Sequence, residues 1–590
     1  MNPEFNFLDS ISSTKVAYIV ILIFAVLVYS RTFSSGFVDF DDKQILQNLD
    51  GAGISRSPLD AFRRDAFLST GGFSFYRPMQ GVTYIMDYSV KGIAPVSYHV
   101  TNLGIHILTC MGLFFLLKML GFERGVSLLM AVLFAVHPLF NQAVSWIPSR
   151  GDLLIGLFGI ISFITCMKYF GKNSWLYLAA HLVAFSVAVF SKETAILFPI
   201  LYGLFYYFRY YGKDGVKLID IKNISLIAGW ILIAGFYLYM RSAVIQTSFS
   251  PGEFGMSAFL SNIWAMPEYM AKFFIPIKLS GMPEFSVLIS SIGISIMVVM
   301  AIFAVMNRKA FNYLSFIGIV WFVLFTAVSM TYRHYHGKAA YDYLEHRAYL
   351  PSIGLIIFIL SFVTEAWKVR LVCGLVPLIF VYSAYSFVNT KKFEDPISFY
   401  NSVIGGGSNV ACAYFNRANI RRGMGDGKGA LEDYSKAISI KSDYIEAYND
   451  KGNIELEMKE YGLAIEDYTK AIRAKPTHVG AYSNRGDIYF KMNRMEDAIA
   501  DYNRAIMIDP RYPGSYNNLG IVYATEGNYL EAIKYFSKAI GYDNKFGNAY
   551  MNRGLAYLLL GDKQKACGDF KLSMECGNDA GKQLYDEYSK

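Results

Sequence analysis

The first two thirds of the chain consist of long apolar runs that alternate with short polar segments. Up to about Val388 these runs carry few charges and are roughly 16 to 24 residues long, the length that a helix needs to cross a hydrocarbon core of about 30 Å. The pattern therefore predicts a polytopic membrane domain with eleven transmembrane helices. The predicted spans are residues 16–30, 99–120, 125–143, 152–170, 174–190, 195–209, 224–240, 286–306, 312–330, 348–366 and 370–388.

A further apolar stretch, residues 258–276, is ambiguous because Pro267, Glu268 and Lys272 interrupt it. Cytoplasmic loops of membrane proteins are enriched in Lys and Arg, and this rule decides whether the stretch spans. If it does not span and the N-terminus is cytoplasmic, the basic loops all fall inside. We therefore predict a re-entrant or interfacial helix here, with the C-terminal region on the outer face. The basic loops contain Lys118 with Arg124, Lys168 with Lys172, Arg209 to Lys222, Arg308 with Lys309, and Lys368 with Arg370.

After Asn389 the apolar runs stop, and small and aromatic residues recur with a period of 34 residues. This period and register are typical of the tetratricopeptide repeat (TPR), in which small residues let two helices touch and an aromatic ring fills the next groove. A coiled coil would need a heptad period, which this region lacks. The register is carried by Tyr414, Tyr448, Tyr482, Tyr516 and Tyr550; by Ala430, Ala464, Ala498, Ala532 and Ala566; by Gly452, Gly486, Gly520 and Gly554; and by Tyr434, Tyr468, Tyr502, Phe536 and Phe570.

These patterns together predict an all-α fold in which a transmembrane helical domain at residues 1–390 precedes a TPR α-solenoid. We expect residues 391–410 to form a linker and residues 411–590 to hold five repeats and a C-terminal helix. The first apolar run has no small-residue cleavage pattern after it, so it is interpreted as a retained signal anchor.

The composition changes this interpretation little. A formal net charge of +8 invites a nucleic-acid partner, but no basic cluster interleaved with stacking aromatics is present. Basic cytoplasmic loops account for the charge, so we expect membrane lipids and no nucleic acid among the partners. The six Cys are scattered and form no CxxC pair, which argues against a disulfide framework or a zinc site.

Charged side chains beside membrane spans are costly, so their positions indicate function. On the predicted topology one set of them lies at the outer face, where the side chains could converge on one site. The alternative is that loops simply contain charges. The set consists of Asp39, Asp41, Asp42, Arg77, Arg150, Asp152, Lys192, Glu193, Arg241 and Glu345 to Arg347.

Several segments resemble the membrane glycosyltransferases with C-terminal TPRs, whose eukaryotic members are the transmembrane-and-TPR O-mannosyltransferases. The resemblance covers both halves of the chain in order, and it departs at Gln142, where related bacterial sequences usually have an acid. The matching segments are GFVDFDDKQILQN (36–48), FYRPMQGVTYIMD (75–87), YHVTNLGIH (98–106), LFAVHPLFNQAVSWIPSRGDLLIGLF (133–158), SKETAILFP (191–199), FFIPIKLS (273–280) and LEHRAYLPSIGL (344–355).

The resemblance implies the GT-C fold, with a catalytic acid in the first outer loop. Asp41 matches the first acid of the family motif, so we expect Asp41 to take the proton of an attacking hydroxyl and Asp42 to support it. The leaving group would be a lipid monophosphate, which requires cations. The predicted phosphate-binding residues are Lys192, Arg347, Arg150 and Arg77, and the supporting acids are Glu193 and Glu345.

Each cation has a structural alternative, an ion pair with its sequence neighbour. These pairs would be Lys192 with Glu193, Arg150 with Asp152, and Arg347 with Glu345. Adjacent acids such as Asp41 and Asp42 also suggest a metal, but a monophosphate flanked by Lys and Arg has less need of one. We predict no catalytic metal and no cofactor apart from the polyprenyl-phosphate sugar donor.

The repeats supply a candidate acceptor site. Asn416, Asn484, Asn518 and Asn552 occupy one position on the first helix of four units, where a ladder of amides could pair with the backbone of an extended peptide. Alternatively, the amides hydrate the groove or bond within their own unit.

We predict an inverting transferase that acts on Ser or Thr of a protein acceptor. Transfer to a lipid or cell-wall glycan, and a non-catalytic scaffold or transporter, remain open alternatives. The predicted location is the bacterial inner membrane with the repeats outside, and the endoplasmic reticulum is the alternative.

Overall fold

A computed structural model describes residues 13–50, 57–69, 75–211, 221–245, 254–283, 285–331, 344–406 and 410–589. These ranges are predominantly helical and contain no β-strand, as the sequence predicts. The chain divides into two compact units, Met1–Val410 and Ala411–Lys590.

In the first unit, helices occur at every predicted span, although the span predicted at 125–143 is broken after Val136. The helices are α1 Thr14–Tyr29, α2 Asp39–Asp50, α3 Pro78–Lys91, α4 Pro95–Met119, α5 Arg124–Val136, α6 Asn141–Ser145, α7 Arg150–Lys172, α8 Trp175–Ser191, α9 Phe198–Arg209, α10 Ile221–Val244, α11 Met256–Ser261, α12 Ala265–Phe274, α13 Val287–Met306, α14 Tyr313–Ser329, α15 Tyr349–Ser361, α16 Glu365–Asn389 and α17 Pro396–Gly405.

Six of these helices are long and apolar enough to cross a membrane: α1, α4, α7, α10, α13 and α16. Helix α5 and the segment Pro138–Ser145 add a seventh if they form one span bent by 47°. The remaining predicted spans correspond to α8, α9, α14 and α15, which have 12 to 17 residues. The protein is therefore a polytopic membrane protein, and the count of eleven stays a prediction.

The ambiguous stretch 258–276 forms two short helices, α11 and α12, and neither is long enough to span a bilayer. Most of α12 is buried, and it packs so closely on α13 that a Cβ at Gly293 would lie 1.8 Å from the carbonyl oxygen of Pro267. Glu268 accepts hydrogen bonds from the backbone N–H of Ser286 and the hydroxyl of Ser290. Helix α12 is thus covered by protein while α11 is largely exposed, and the re-entrant or interfacial placement of the stretch stays a prediction.

Helices α14 and α15 cross at very short range. A Cβ at Gly318 would lie 2.7 Å from the carbonyl oxygen of Gly354, and a Cβ at Gly354 would lie 2.6 Å from that of Gly318. Small residues allow such close backbone approach between membrane helices. The crossing holds in place the N-terminal end of α15, which carries part of the candidate site.

Residues 391–410, predicted as a linker, include a short 3₁₀ helix, Thr390–Phe393, and α17. Phe399 and Tyr400 are buried, and the N–H of Gly36 donates to the carbonyl oxygen of Glu394 at 2.7 Å. The segment is thus folded into the first unit. Its aromatic residues explain the difference, because they need burial that an exposed linker cannot provide.

The second unit is a solenoid of five helix pairs and a final helix. Its helices are α18 Ala411–Gly423, α19 Gly427–Ile440, α20 Ile445–Glu457, α21 Tyr461–Ala474, α22 Val479–Lys491, α23 Met495–Ile508, α24 Pro513–Thr525, α25 Tyr529–Tyr542, α26 Gly547–Leu559, α27 Lys563–Glu575 and α28 Asp579–Tyr588.

The small and aromatic residues of the repeat register meet inside the helix pairs. At the glycine position of four repeats, a Cβ would lie within 2.6 to 2.9 Å of the aromatic ring on the second helix. The glycine therefore makes room for the ring, and the predicted packing is observed. The pairs are Gly452 with Tyr468, Gly486 with Tyr502, Gly520 with Phe536, and Gly554 with Phe570.

Candidate functional site

Four helix ends of the first unit bring predicted site residues together. Arg77 directly precedes α3, Asp152 lies in the first turn of α7, and Lys192 and Glu193 follow α8. The turn Glu345–Ala348, which leads into α15, carries His346 and Arg347. These charged side chains therefore all lie at or next to the ends of helices in the first unit.

Two ion pairs link these helix ends. The Nζ of Lys192 donates to both carboxylate oxygens of Asp152 at 2.7 Å. Arg77 makes a two-pronged contact with Glu193, with Nε and Nη2 at 3.1 and 2.8 Å from the two oxygens. Lys192 and Glu193 therefore do not form the pair that the structural alternative predicted. Each of them pairs with a residue from another segment.

Two positive side chains at these helix ends lie close enough to Lys192 to affect its pKa. Burial lowers the pKa of Lys192, Asp152 opposes this shift, and the charges of Arg77 and Arg347 lower the pKa further. We call Arg77, Lys192 and Arg347 the cation cluster. Three positive side chains from separate segments thus lie close enough to act on one another, an arrangement that suits an anionic ligand.

The acid Glu193 is held as a carboxylate. Burial by itself would raise the pKa of Glu193, but the charge and hydrogen bonds of Arg77 lower it to about 2. A carboxylate this stable is a weak proton acceptor at neutral pH. Glu193 therefore fits the predicted role of a supporting acid that orients Arg77.

Arg150 lies elsewhere and is fully buried. Its guanidinium donates to Asn102 Oδ1 at 2.6 Å, Thr83 Oγ1 at 3.1 Å and the carbonyl oxygen of Tyr98 at 2.9 Å, and it pairs with Asp87 at 2.6 Å. The ion-pair alternative for Arg150 holds, although its partner is not Asp152. A phosphate could reach Arg150 only by displacing these partners, so the predicted role of Arg150 in phosphate binding is not supported by its contacts.

Glu345 belongs to a second buried network. Its Oε1 accepts from Lys272 Nζ at 2.9 Å and from the backbone N–H of Ser280 at 3.0 Å. Burial raises the pKa of Glu345, and Lys272 counters the shift. These contacts connect helix α12 to the Glu345–Ala348 turn, so Glu345 positions its neighbours His346 and Arg347.

Gln142 fixes the same turn from another side. Its Nε2 donates to the carbonyl oxygen of Gly281 at 3.0 Å, and its Oε1 accepts from the backbone N–H of His346 at 3.2 Å. Gln142 is buried, and an ionised acid in its place could not donate to Gly281. The amide at this position is therefore a structural connector of two loops.

Asp41 and Asp42 lie in the first turn of α2 and differ in their surroundings. Asp42 is buried, and its Oδ2 accepts from the backbone N–H of Val38 at 2.6 Å, while Asp41 is partly exposed. Burial, together with both carboxylates, raises the pKa of the nearby Tyr84. Asp42 thus holds the loop, and Asp41 is the more accessible acid. The side chain of Asp39 lies outside the described residues.

Tyr84, which senses the charges of this acid pair, is linked through Gln80 to the start of α7. Gln80 Nε2 donates to Tyr84 Oη at 2.7 Å, and Gln80 Oε1 lies 2.8 Å from the position of a Cβ on Gly151. Gly151 immediately precedes Asp152. The acids of α2 and the helix end that carries Asp152 are therefore linked through Tyr84 and Gln80.

In the repeat unit, Asn416, Asn484, Asn518 and Asn552 are partly exposed. Asn484, Asn518 and Asn552 each donate an amide N–H to a residue of the preceding repeat. Among the described residues, nothing donates to the carbonyl oxygens of Asn484 and Asn552, so these oxygens can accept hydrogen bonds. The pairs are Asn484 with Asn449 and Asn453, Asn518 with Asp487, and Asn552 with Asn517, at 2.7 to 3.2 Å.

No group of three or more His, Cys, Asp or Glu side chains in the described ranges is arranged to hold a metal ion. Whether the reaction needs a metal is untested, and its absence stays a prediction.

Comparison with known proteins identifies the repeats and a group of relatives. Sequence profiles described as TPR repeat match residues 452–493 and 486–527, and those described as tetratricopeptide repeat match residues 413–444 and 513–546. The C-terminal unit is thus a TPR solenoid.

The curated relatives are protein O-mannosyl-transferases. Tmtc1 of Drosophila melanogaster is 26% identical over 249 residues, which are 39% of this chain and 29% of that protein. TMTC3 of Mus musculus is 27% identical over 31% of this chain and 20% of its own length. TMTC4 of Homo sapiens is 29% identical over 29% of this chain and 26% of its own length. The matches therefore span less than a third of the length of these relatives.

Among solved structures, MamA is 28% identical with a TM-score of 0.25, covering 28% of this chain and 96% of MamA. The TPR protein TTC0263 of Thermus thermophilus is 18% identical with a TM-score of 0.27, covering 30% of this chain and 97% of that protein.

Proposed function

We propose that this protein is an inverting glycosyltransferase of the GT-C type that moves a sugar from a polyprenyl-phosphate carrier to a Ser or Thr hydroxyl of a protein. The observation that carries the proposal is the cation cluster, which brings three positive side chains together at helix ends of the membrane unit, in the same unit as the partly exposed acid Asp41. The names of the relatives support mannose as the sugar and a protein as the acceptor.

In the proposed reaction the acceptor hydroxyl oxygen attacks the anomeric carbon while Asp41 takes its proton. A new carbon–oxygen bond forms as the bond between the anomeric carbon and the phosphate oxygen breaks. The polyprenyl monophosphate leaves with the bonding electrons, and a single displacement inverts the anomeric configuration. Asp42 keeps the loop of Asp41 in place through its bond to Val38.

The leaving phosphate gains a negative charge, which the cation cluster would stabilise. Arg77 and Arg347 offer several N–H donors, and Lys192 offers a compact ammonium. The ion pairs with Asp152 and Glu193 hold two of these cations in position before the donor arrives. Such preorganised charge is the largest contribution that most enzymes make to a reaction of this kind.

The proposed activity predicts that a peptide acceptor gains one sugar. The purified full-length protein in lipid nanodiscs, given a short-chain polyprenyl-phosphate mannose and a Ser/Thr peptide, should produce a peptide heavier by one hexose. Intact mass spectrometry would detect the product, and the anomeric configuration of the linkage would test inversion. If the sugar moves only to a lipid or glycan acceptor, the protein acceptor is wrong and the alternative transfer is supported.

The repeats would bind the protein acceptor. Because Asn484 and Asn552 use their N–H groups between repeats, what they offer a peptide is their carbonyl oxygens. Peptide N–H groups can donate to such oxygens whatever the peptide sequence. The repeats would thus hold an extended segment through its backbone and bring its hydroxyl side chains to the membrane unit.

Replacing Asn484, Asn518 and Asn552 together by Ala is expected to raise the KM for a protein acceptor about tenfold, as each lost hydrogen bond costs about 1 kcal/mol or less net. Transfer to a short hydroxyl-bearing peptide should change little. The measurement is steady-state transfer kinetics with both acceptors.

The matched control replaces Asn449 and Asn517 by Ala. These residues accept the bonds between repeats, so the control loosens the same contacts and leaves the three amides in place. An equal rise in KM for the control would show that repeat stacking, and not amide recognition, is responsible.

For location, we propose a bacterial inner membrane with the site and the repeats on the outer face, and the endoplasmic reticulum as the alternative. The distribution of Lys and Arg among the loops supports this orientation.

A non-catalytic scaffold is less well supported, because a scaffold has no need for buried cations and a partly exposed acid in the same unit.

A further inference from the structure

His346 was not singled out from the sequence, and it lies inside the candidate site with a ring nitrogen unused. The residue is 6% exposed, and its Nδ1 is buried without a hydrogen-bond partner among the described residues. Its Nε2 lies 3.7 Å from Oδ2 of Asp152, the carboxylate that binds Lys192. A buried polar atom with no partner costs about 1–3 kcal/mol, so such an atom in a site calls for a ligand.

The surroundings define what this nitrogen can do. Burial lowers the pKa of His346 well below its usual value, and the charges of Lys192, Arg347 and Arg77 lower it further. The ring is therefore neutral and carries one N–H. The carboxylate of Asp152 favours that N–H on Nε2, which leaves Nδ1 as a hydrogen-bond acceptor.

Gln80 provides a second acceptor of the same kind. Its Nε2 is bound to Tyr84 and to the carbonyl oxygen of Pro148, while its Oε1 is buried without a partner among the described residues. This oxygen lies beside Gly151, where a Cβ would come within 2.8 Å of Oε1 and 3.4 Å of the carbonyl oxygen of Ser191. The residues that follow Gly151 and Ser191 are the two partners of the Asp152–Lys192 ion pair.

The two acceptors restrict the chemistry of their ligand. A phosphate offers only acceptor oxygens when fully ionised, so it cannot satisfy Nδ1 of His346 or Oε1 of Gln80. Proton transfer to His346 is also unfavourable, because three cations oppose a positive charge on the ring. The ligand group must bring hydroxyl or amide donors and must lie next to a phosphate held by the cation cluster.

We propose that His346 Nδ1 and Gln80 Oε1 accept hydrogen bonds from hydroxyl groups of the sugar in the glycosyl-phosphate donor. The two residues then select the sugar, while the cation cluster binds the phosphate. This assignment rests on the proposed function, since it takes a glycosyl phosphate as the ligand.

The test compares a short-chain polyprenyl-phosphate mannose with its monodeoxy analogues, each lacking one hydroxyl. In the wild-type protein, loss of the hydroxyl that His346 recognises should lower kcat/KM about tenfold, the effect of about one buried hydrogen bond. In His346→Phe, which has no acceptor, the normal donor should be about tenfold poorer and the same deoxy donor should lose little more.

A second variant distinguishes loss of the hydrogen-bond acceptor from a general loss of structure. In His346→Asn the side-chain carbonyl can take the place of Nδ1, so sensitivity to that hydroxyl should return. Gly151→Ala, which displaces Gln80 Oε1, should remove sensitivity to a different hydroxyl. Thermal unfolding in detergent checks that the variants are folded.

The outcomes separate the two proposals. If the wild-type protein transfers no sugar from any polyprenyl-phosphate donor, the proposed function fails. If it transfers sugar, and His346→Phe keeps the wild-type penalty for every missing hydroxyl, only the assignment of His346 is wrong.

Discussion

Replacing Asp41 by Asn is expected to reduce sugar transfer by about 10²- to 10⁴-fold, the usual loss when a general base is removed. Asn keeps the shape of the side chain but cannot take the proton of the attacking hydroxyl. Because Asp41 is partly exposed, the change should leave the fold intact. The measurement is kcat/KM for transfer to a short hydroxyl-bearing peptide, together with thermal unfolding in detergent.

Asp42→Asn is the matched control for this prediction. The amide oxygen of Asn can still accept the N–H of Val38, so the loop should remain in place and activity should fall much less. Equal losses in the two variants would indicate that both carboxylates act together on the acceptor.

A wild-type rate for Asp41→Asn would show that the base is another group. Asp42 would then be the first to examine. Glu193 would be a poor candidate for the base. Burial raises its pKa, but Arg77 outweighs this effect and lowers the pKa to about 2.

The positions of the elements were predictable because they depend on local pattern. Runs such as 152–170 match the length of a membrane helix, and α7 runs from Arg150 to Lys172. The 34-residue period likewise predicted the contact of Gly452 with Tyr468, since each repeat uses the same two helix faces.

The partners of the charged residues were not predictable in the same way. Neighbours in sequence suggested Lys192 with Glu193, but Lys192 pairs with Asp152, 40 residues away, and Arg77 with Glu193, 116 residues away. Such pairs depend on how separate helix ends pack against each other, and this packing cannot be predicted from the local sequence.

His346 was missed for a related reason. It falls within the charged set Glu345 to Arg347, but the sequence pattern assigns it no role of its own. The signal that could have indicated a role is the segment LEHRAYLPSIGL, in which His346 lies between two residues already selected. Only the packed structure reveals that its Nδ1 is buried without a partner among the described residues.

Changing Lys192 to Met is expected to lower kcat/KM for transfer by about 10²-fold, the loss typical of removing one group that stabilises developing charge. The single change also harms the fold. It leaves the carboxylate of Asp152 without its cation at 7% side-chain exposure, and breaking a buried ion pair in this way costs about 3–5 kcal/mol.

The double variant Lys192→Met with Asp152→Asn separates the two effects. It removes the pair without leaving a buried charge, so thermal stability should return close to that of the wild type. Activity should stay low, because the cation that faces the leaving phosphate is still missing. Donor binding to nanodisc-embedded protein should weaken as well, which kinetics at several donor concentrations would reveal.

A similar pair in the repeats serves as the control for the double variant. Arg553 and Asp569 form a two-pronged ion pair with side chains 18% and 7% exposed, close to the 10% and 7% of Lys192 and Asp152. Arg553→Met with Asp569→Asn removes the same kinds of charge but should leave transfer to a short peptide unchanged. If the Lys192 double variant regains both stability and activity, Lys192 serves only to neutralise Asp152, and the leaving phosphate must be stabilised by Arg77 and Arg347 alone.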